Sequence, residues 1–388
     1  MKQKTDLINK IINRGVLETI EKESLIKKLN SGRKLRIKFG IDPTKPDIHL
    51  GHTVPLLKLR EFQELGHKAV LIIGDFTAQI GDPSGQAAER KPLTEKEVKF
   101  NMKHYLEQAG KVLDVKRAEV RYNSEWHNKS LKNFLEVTKA VSVSQIMKRE
   151  DFQKRIDSGG DVTILESLYA ILQGYDSVMV KADVELGGYD QKLNLLMGRR
   201  IQRYFKMPEQ DIMTMPLIEG TDGIRKMSKS FGNYIALNDS PQDMFGKIMS
   251  VPDSLINKYF IHFTEAEPVE GNPYESKIIL GETLVRMYHG EKAALKAKEN
   301  FVKTFSKKEI PDDIETEEIS KDVLMNGTTI MLVTIGVAKS NSEARRLINQ
   351  GAVKVDGRAV SDPNEKRKDG EVVKVGKHKF FKIKEQNN

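Results

Sequence analysis

Residues 35–74 read LRIKFGIDPTKPDIHLGHTVPLLKLREFQELGHKAVLIIG. From Leu35 to Ile41 apolar and polar side chains alternate, the period of a strand. Asp42-Pro43-Thr44 and Pro46 break that pattern. From His49 onward a helical spacing takes over, with Leu56, Leu59, Phe62 and Leu65 along one side and Gly66 as a stop. AVLIIG is then a short continuous apolar run, as expected of a parallel strand buried on both faces. Strand, helix and strand in about 40 residues make a βαβ unit, whose crossover is right-handed. The fold class that follows is α/β, a doubly wound Rossmann-like parallel sheet with its site at the carboxyl ends of the strands.

Outward from this unit, Thr94-Glu95-Lys96-Glu97 reads as a capping box opening a helix with Val98, Met102, Tyr105 and Ala109 on one face. Residues 126–161 are helical and mixed and read as an insertion between sheet halves. The sheet and this insertion define a catalytic domain over 1–239. Past Ser240 the pattern is helical without strands, giving a second domain over 240–321. It ends in a linker, where a proline and the acidic residues Asp312, Asp313, Glu315, Glu317 and Glu318 cluster. Residues 327–388 read as a small α+β module. Asn341 or Ser342 caps a helix that runs to Asn349 and stops at Gly351, Asp356-Gly357 signals a hairpin, and VVKVGKHKFFKIK supplies later strands.

Composition narrows the function classes. At 388 residues, 38% hydrophobic and 31% charged, the sequence is that of a globular protein with a sizeable core. Its net charge is +9, unevenly spread, because Gly327 to Asn388 holds 13 Lys or Arg against 7 Asp or Glu. That surplus suits a polyanion-binding module. The absence of cysteine excludes disulfides, zinc–thiolate sites and thiol nucleophiles. The polar start MKQKTDLINKIINRG is unlike a secretory signal, and no stretch nears the roughly 20 apolar residues of a membrane span. The expected location is the cytoplasm.

Two constellations carry chemistry. His49-Leu50-Gly51-His52 opens the helix after the first strand, where unpaired N–H groups and the positive dipole end favour phosphate. Two histidines three apart share a face and can hydrogen-bond a phosphoryl group as charge builds on it. Gly51 lets a nucleotide pack against the backbone. A metal reading is weaker, for no third ligand is near. The second constellation is Lys226-Met227-Ser228-Lys229-Ser230, between Gly220, Gly223 and Gly232. Flanking glycines suggest a mobile loop, and two lysines three apart can converge on a triphosphate. Alone, each segment also reads as ordinary surface histidines or a solvated basic loop. A third group, Tyr169, Gln173 and Asp176, is spaced four then three and shares one helical face among Leu165, Leu168, Ile171 and Leu172.

PTKPDIHLGH, GDFTAQIGDPSG, the YDSV segment and KMSKS together resemble the class I aminoacyl-tRNA synthetases, and among them the bacterial tyrosyl branch. The resemblance covers essentially the whole sequence, and the C-terminal module is similar to an RNA-binding fold shared with a small-subunit ribosomal protein. It implies a homodimeric enzyme, joined through the insertion, that forms tyrosyl-adenylate from L-tyrosine and ATP and loads the tyrosyl group onto the 3′-terminal ribose of its tRNA. Magnesium would accompany the triphosphate, with no metal held tightly by the protein itself.

Site residues follow from the same likeness. His49 and His52 would act on the α-phosphate, Lys226 and Lys229 on the pyrophosphate side, and Thr44 near the γ-phosphate. Asp42, Gly51 and Asp190 would contact the nucleotide, Asp190 at its ribose. Tyr169, Gln173 and Asp82 would bind the substrate ammonium, Asp176 the phenol hydroxyl, and Gln191 would line the pocket. Arg345 and Arg346, on the first helix of the basic module, are the candidate tRNA contacts.

The sequence departs from the family at Lys38, where many members have a tyrosine reaching the phenol oxygen, and a bacterial subgroup carries lysine. A Lys38–Asp75 pair at the carboxyl ends of adjacent strands is the expected substitute. Gln86 stands in place of a lysine, although Arg90 remains, and Tyr189 stands where a small residue is expected. Competing readings are a tryptophanyl synthetase, a small-molecule nucleotidyltransferase and a non-catalytic RNA-binding relative. The basic tail and the polar helix face oppose the first two, and the intact His49, His52, Lys226 and Lys229 oppose the third.

Overall fold

The computed structural model describes residues 2–84, 92–303, 315–376 and 379–386. The chain forms two compact units, Met1–Glu299 and Asn300–Asn388. The first is built on six strands: β1 (Glu18–Ile20), β2 (Arg36–Ile41), β3 (Lys68–Ile73), β4 (Glu119–Tyr122), β5 (Val184–Gly188) and β6 (Asp211–Met215). Their order is β1-β6-β5-β2-β3-β4. All neighbours are parallel except β1, which runs antiparallel along the β6 edge. From β2 the chain winds one way through β3 and β4, and from β5 the other way to β6. The reversal between β2 and β5 leaves a crevice above their carboxyl ends, the usual place for a ligand in such a sheet.

The opening βαβ unit is as its pattern predicts, with the helix Leu50–Glu64 between β2 and β3 and Gly66 at φ +89 just past its end. Leu56, Leu59 and Phe62 of that helix are fully buried. One feature of β2 departs from its alternating pattern. Ile37, Lys38 and Phe39 are all buried, because a central strand of a doubly wound sheet is covered on both faces. Lys38 is therefore an interior residue.

Thr94 and Glu97 form the expected reciprocal cap. The helix they open ends at Met102, and a second runs Tyr105–Gly110. The break lets Tyr105 and Gln108 turn toward the loop after β2. There the Tyr105 hydroxyl donates to Lys45 O (2.9 Å), and Gln108 binds Pro46 O (2.9 Å) and the Ile48 amide (2.7 Å). Short helices at Leu131–Thr138, Val143–Ile146 and Glu150–Asp157 form the insertion. The helix Ile164–Met179 follows, packed closely against Lys192–Tyr204; a Cβ on Gly174 would lie 2.7 Å from Ile201 Cδ1 and 3.1 Å from Gly198 N. Residues 240–299 are helical and belong to the same compact unit as the sheet.

The second unit has a five-stranded sheet of order β7-β11-β10-β8-β9: β7 (Glu315–Ile319), β8 (Val353–Val355), β9 (Arg358–Ala359), β10 (Val372–Val375) and β11 (Lys379–Glu385). The Asp356-Gly357 turn joins β8 to β9 with both residues at positive φ, as a tight hairpin requires. The helix Asn341–Asn349 is capped by Ser340, one residue earlier than expected, through the Glu343 amide at 3.3 Å. The segment read as a linker is corrected in its second half. Glu315–Ile319 is a strand pairing in parallel with β11, where Glu318 meets Lys384 at 2.7 Å. The first half, including Asp312 and Asp313, lies outside the described residues. Leu332, Ala344, Ile348, Val353, Val373 and Phe381 make this unit's own core.

Candidate active site

A cavity of about 570 Å³ opens at the β2/β5 reversal. At one end stand His49 and His52. His49 is the N-cap of the helix Leu50–Glu64, and its backbone N–H donates to His52 Nδ1 at 3.3 Å. That bond leaves the hydrogen of a neutral His52 on Nε2. The rings stack with centroids 3.7 Å apart, and His49 Nδ1 is buried without a hydrogen-bond partner among the described residues. Burial, then the nearby His52 and Lys229, holds His49 well below the ordinary histidine range. Burial also pushes His52 down to about 3, with Lys229 and Lys226 adding to it. Both are therefore neutral hydrogen-bonding rings at neutral pH, not cations. Gly51 belongs to the same wall, where a Cβ would come 3.0 Å from His49 Cε1 and 3.6 Å from Met227 Cβ.

Facing the histidines is the loop carrying Lys226 and Lys229. Gly223 and Gly232 take left-handed backbone conformations, and a Cβ on Gly220 would sit 2.1 Å from Asn233 O. Asn233 ties the loop by accepting from the Ser228 amide (2.8 Å) and donating to Asp222 (3.0 Å). Lys226 Nζ lies 3.4 Å from Asp190 Oδ2. Lys229 Nζ donates to the backbone carbonyls of Lys45 and Asp47. Burial pushes the Lys229 ammonium down to about 8, with Asp47 opposing and Lys45 reinforcing the shift. Burial raises the Asp190 carboxyl, an effect Lys226 opposes. Thr44 lines the same end.

The helix Ile164–Met179 supplies the other end, as its spacing predicts. The Tyr169 hydroxyl donates to Asp42 Oδ2 (2.9 Å), and Thr77 Oγ1 donates to Asp42 Oδ1 (2.8 Å). Asp82 accepts from Gln191 Nε2 at 2.7 Å and from the Ser84 amide at 2.9 Å, and Asn194 in turn donates to Gln191. Asp176 accepts from Trp126 Nε1 (2.8 Å), His127 Nε2 (2.9 Å) and Asn123 Nδ2 (3.3 Å). Gln173 lies between, its amide 3.4 Å from Glu185.

The expected Lys38–Asp75 pair does not exist. Lys38 sits in mid-strand opposite Val70 and Glu185, not at the carboxyl end, so its ammonium meets Glu185 Oε1 at 2.7 Å. It also donates to Ser177 Oγ (2.7 Å) and Gln173 O (2.9 Å). Asp75 lies beyond the end of β3 and outside the cavity lining, and it accepts from the Ser124 amide (2.9 Å) and hydroxyl (2.6 Å) instead. Tyr189 is half-exposed with Lys192 Nζ 5.6 Å from its ring, so it does not alter the cavity wall. Gln86 and Arg90 lie outside the described residues. In the second unit Arg345 and Arg346 are both exposed on the helix Asn341–Asn349.

Several residues of the site escaped the sequence reading: Glu185, Thr77, Asn123, Trp126 and His127. Glu185 had a signal, a carboxylate inside the apolar run VELGG, which in a buried strand demands a cation. Trp126, the sole tryptophan, had a weaker one, since a buried indole N–H needs an acceptor.

Comparison with known proteins adds a family. Residues 30–306 match the family described as tRNA synthetases class I (W and Y), and residues 330–373 match the S4 domain. The chain is similar to the tyrosine–tRNA ligase of Thermotoga maritima, 48% identical over 96% of each chain. It is also similar to that of Aquifex aeolicus, 47% identical over 96% of this chain and 97% of the relative. Among solved structures it resembles a tyrosyl-tRNA synthetase complexed with L-tyrosine from Archaeoglobus fulgidus. That match has a TM-score of 0.61 at 21% identity, covering 76% of this chain and 99% of the other, and shows the fold alone.

Proposed function

The chain belongs to the class I tRNA synthetases of the W and Y group, and from that premise we infer that it is a tyrosine–tRNA ligase. One observation carries the reading of its site. The paired histidines and the two loop lysines line the same cavity as the buried carboxylate of Asp176. Such a cavity can hold a triphosphate at one end and a phenol at the other.

In the first step the tyrosine carboxylate attacks the α-phosphorus of ATP, forming a P–O bond as the bond to pyrophosphate breaks. No side-chain nucleophile is needed. His49 and His52, held neutral by burial, would donate N–H bonds to the α-phosphoryl oxygens as charge builds there. Lys226 and Lys229 would leave Asp190 and the loop carbonyls to meet the departing pyrophosphate, and Thr44 would lie near the γ-phosphate. Asp190 is then released to hold the ribose, and Gly51 leaves room for the nucleotide beside Asp42. Asp82, Tyr169 and Gln173 would hold the substrate ammonium, with Gln191 fixing Asp82.

Asp176 would accept from the phenol hydroxyl. Phenylalanine leaves that buried acceptor unpaired, which is how enzymes of this type, the standard example, reject it. In the second step a terminal ribose hydroxyl of tRNA attacks the acyl carbon and AMP leaves.

Magnesium would come with the triphosphate, whose oxygens are its preferred ligands. The cavity's carboxylates Asp42, Asp82, Asp176 and Asp190 each already take a donor from this chain, which suits an ion held by phosphate and water. The basic second unit, through Arg345 and Arg346, would hold tRNA by its phosphates. We further propose a cytoplasmic homodimer formed through the insertion. Tyrosine-dependent exchange of pyrophosphate into ATP, followed by charging of tRNA, tests the assignment; exchange driven equally by tryptophan or by no amino acid would reject it.

A further inference from the structure

We propose that His127 is a positioning residue: it aims the Asp176 carboxylate at the phenol of the substrate and so sets the preference for tyrosine over phenylalanine. The proposal rests on the tyrosine reading above. His127 does not line the cavity; its side chain is 3% exposed and lies behind Asp176. The two oxygens of Asp176 are unequally served. Oδ1 receives Trp126 Nε1 at 2.8 Å and His127 Nε2 at 2.9 Å. Among the described residues Oδ2 meets only Asn123 at 3.3 Å, and that amide makes its shorter bond, 2.9 Å, to Thr77. Two short donors saturate Oδ1 and fix the plane of the carboxylate. Oδ2 keeps the open lone pair that a phenol hydroxyl can use.

The histidine must carry its hydrogen on Nε2. An unprotonated Nε2 at 2.9 Å from a carboxylate oxygen would set lone pair against lone pair. The indole N–H also passes 3.2 Å from Nε2, but it has one hydrogen, and the charged oxygen at 2.8 Å is the nearer and stronger acceptor. The ring is held in place by Phe76, with centroids 5.2 Å apart, and by Tyr175 at 6.0 Å. The short helix Ser124–His127 that presents both donors is anchored at its start by Asp75, which gives Asp75 a role. Lys38 lines the cavity, but its ammonium already meets Glu185, Ser177 and the Gln173 carbonyl, which takes up its three hydrogens. The orientation of Asp176 therefore carries more of the selection.

The test compares His127→Phe, which fills the ring's place without its nitrogens, and His127→Gln, which keeps an N–H donor. Tyrosine and phenylalanine are each assayed in amino-acid-dependent pyrophosphate exchange. His127→Phe should raise the KM for tyrosine about tenfold to a hundredfold, the range for losing a hydrogen bond to a charged group, with a smaller change in kcat. The KM for phenylalanine, which makes no bond to Asp176, should hardly move, and His127→Gln should recover most of the selectivity. Equal losses for both substrates, or a tyrosine-to-phenylalanine ratio within about twofold of wild type, overturn the proposal. A wild-type enzyme that does not prefer tyrosine would instead overturn the functional assignment. Proton–nitrogen NMR of histidine-labelled wild-type protein gives a check that needs no stable His127→Phe: an unprotonated His127 Nε2 at neutral pH overturns the proposal.

Discussion

Lys38 and Glu185 form a buried ion pair across adjacent parallel strands, Nζ to Oε1 2.7 Å, with side chains 0% and 1% exposed. Glu185 also accepts from Ser177 at 3.0 Å, and Lys38 holds the carbonyl of Gln173 on the substrate-facing helix. The pair thus joins the sheet to that helix at the cavity wall, which Lys38 lines and Glu185 does not. Removing one partner strands the other's charge in the interior. Lys38→Met should destabilise the protein by about 3–5 kcal/mol, and Lys38→Met with Glu185→Gln by less than the sum of the single changes. Urea unfolding of the four proteins measures this. Additive losses would show that the two side chains act independently.

Lys226→Ala and Lys229→Ala should each slow adenylate formation, by about 3 kcal/mol in the barrier, while tyrosine affinity stays near that of wild type. The two lysines are on the loop facing His49 and His52, and their present partners are Asp190 and the Lys45 and Asp47 carbonyls rather than the Asp176 end. Single-turnover kinetics with equilibrium tyrosine binding separates the two effects. Unaltered activation in both variants removes the lysines from the mechanism.

The depressed Lys229 carries a pH dependence with a definite sign. Its working form is the protonated ammonium, present below a pKa of about 8 and lost above it. The kcat/KM for ATP, which reports the free enzyme, should therefore fall as pH rises through about 8. Lys229→Arg, always charged, should flatten that limb even if its absolute rate is lower. A profile in the arginine variant identical to wild type would assign the fall to another group.

What the sequence disclosed and withheld divides along chain distance. Tyr169, Gln173 and Asp176 share a face because helical spacing alone sets it, and His49 and His52 meet because an N-cap lies beside the third helical residue, so both groups were legible. Their partners were not. Trp126 and His127 reach Asp176 from 50 and 49 residues away, and Thr77 reaches Asp42 from 35 away, through topology that no local period encodes. Lys38 was misplaced for a related reason. An alternating pattern suggests one wet face, yet the central β2 is dry on both, and its register puts Lys38 opposite Glu185. Glu318 looked like part of a linker because the lysine it meets, Lys384, lies on β11, at the far end of the module.

Gly74 follows β3 where the Asp42 network closes. A Cβ there would lie 1.9 Å from Asp42 Oδ1 and 2.4 Å from Thr77 Oγ1. Neither can yield freely, because Asp42 is held by Tyr169 and Thr77 accepts from Asn123. Gly74→Ala should raise the KM for ATP and for tyrosine together, each by about tenfold, the cost of misplacing hydrogen bonds to a charged group. Steady-state pyrophosphate exchange checks it; unchanged constants would mean the network relaxes around the methyl group.

The basic unit has its own core and sheet and a surplus of positive charge in its last 62 residues. Arg345 and Arg346 are exposed on the helix Asn341–Asn349, and among the described residues the one ion pair either makes with an acid, Arg346 with Glu343, is long at 3.9 Å. Both guanidinium groups are thus available to phosphate at little cost in lost partners. Arg345→Ala with Arg346→Ala in the full chain should leave tyrosine-dependent pyrophosphate exchange untouched, since that step needs no RNA. It should lower kcat/KM for tRNA, and each lost phosphate contact should reduce the slope of log affinity against log salt by about 1. A truncation meant to show the same thing must remove β7 as well, because a cut after Lys321 leaves that strand without β11. Filter binding of tRNA across a salt series, alongside charging assays, reads both effects. A double variant that charges tRNA normally with an unchanged salt slope would place the phosphate contacts elsewhere on the unit.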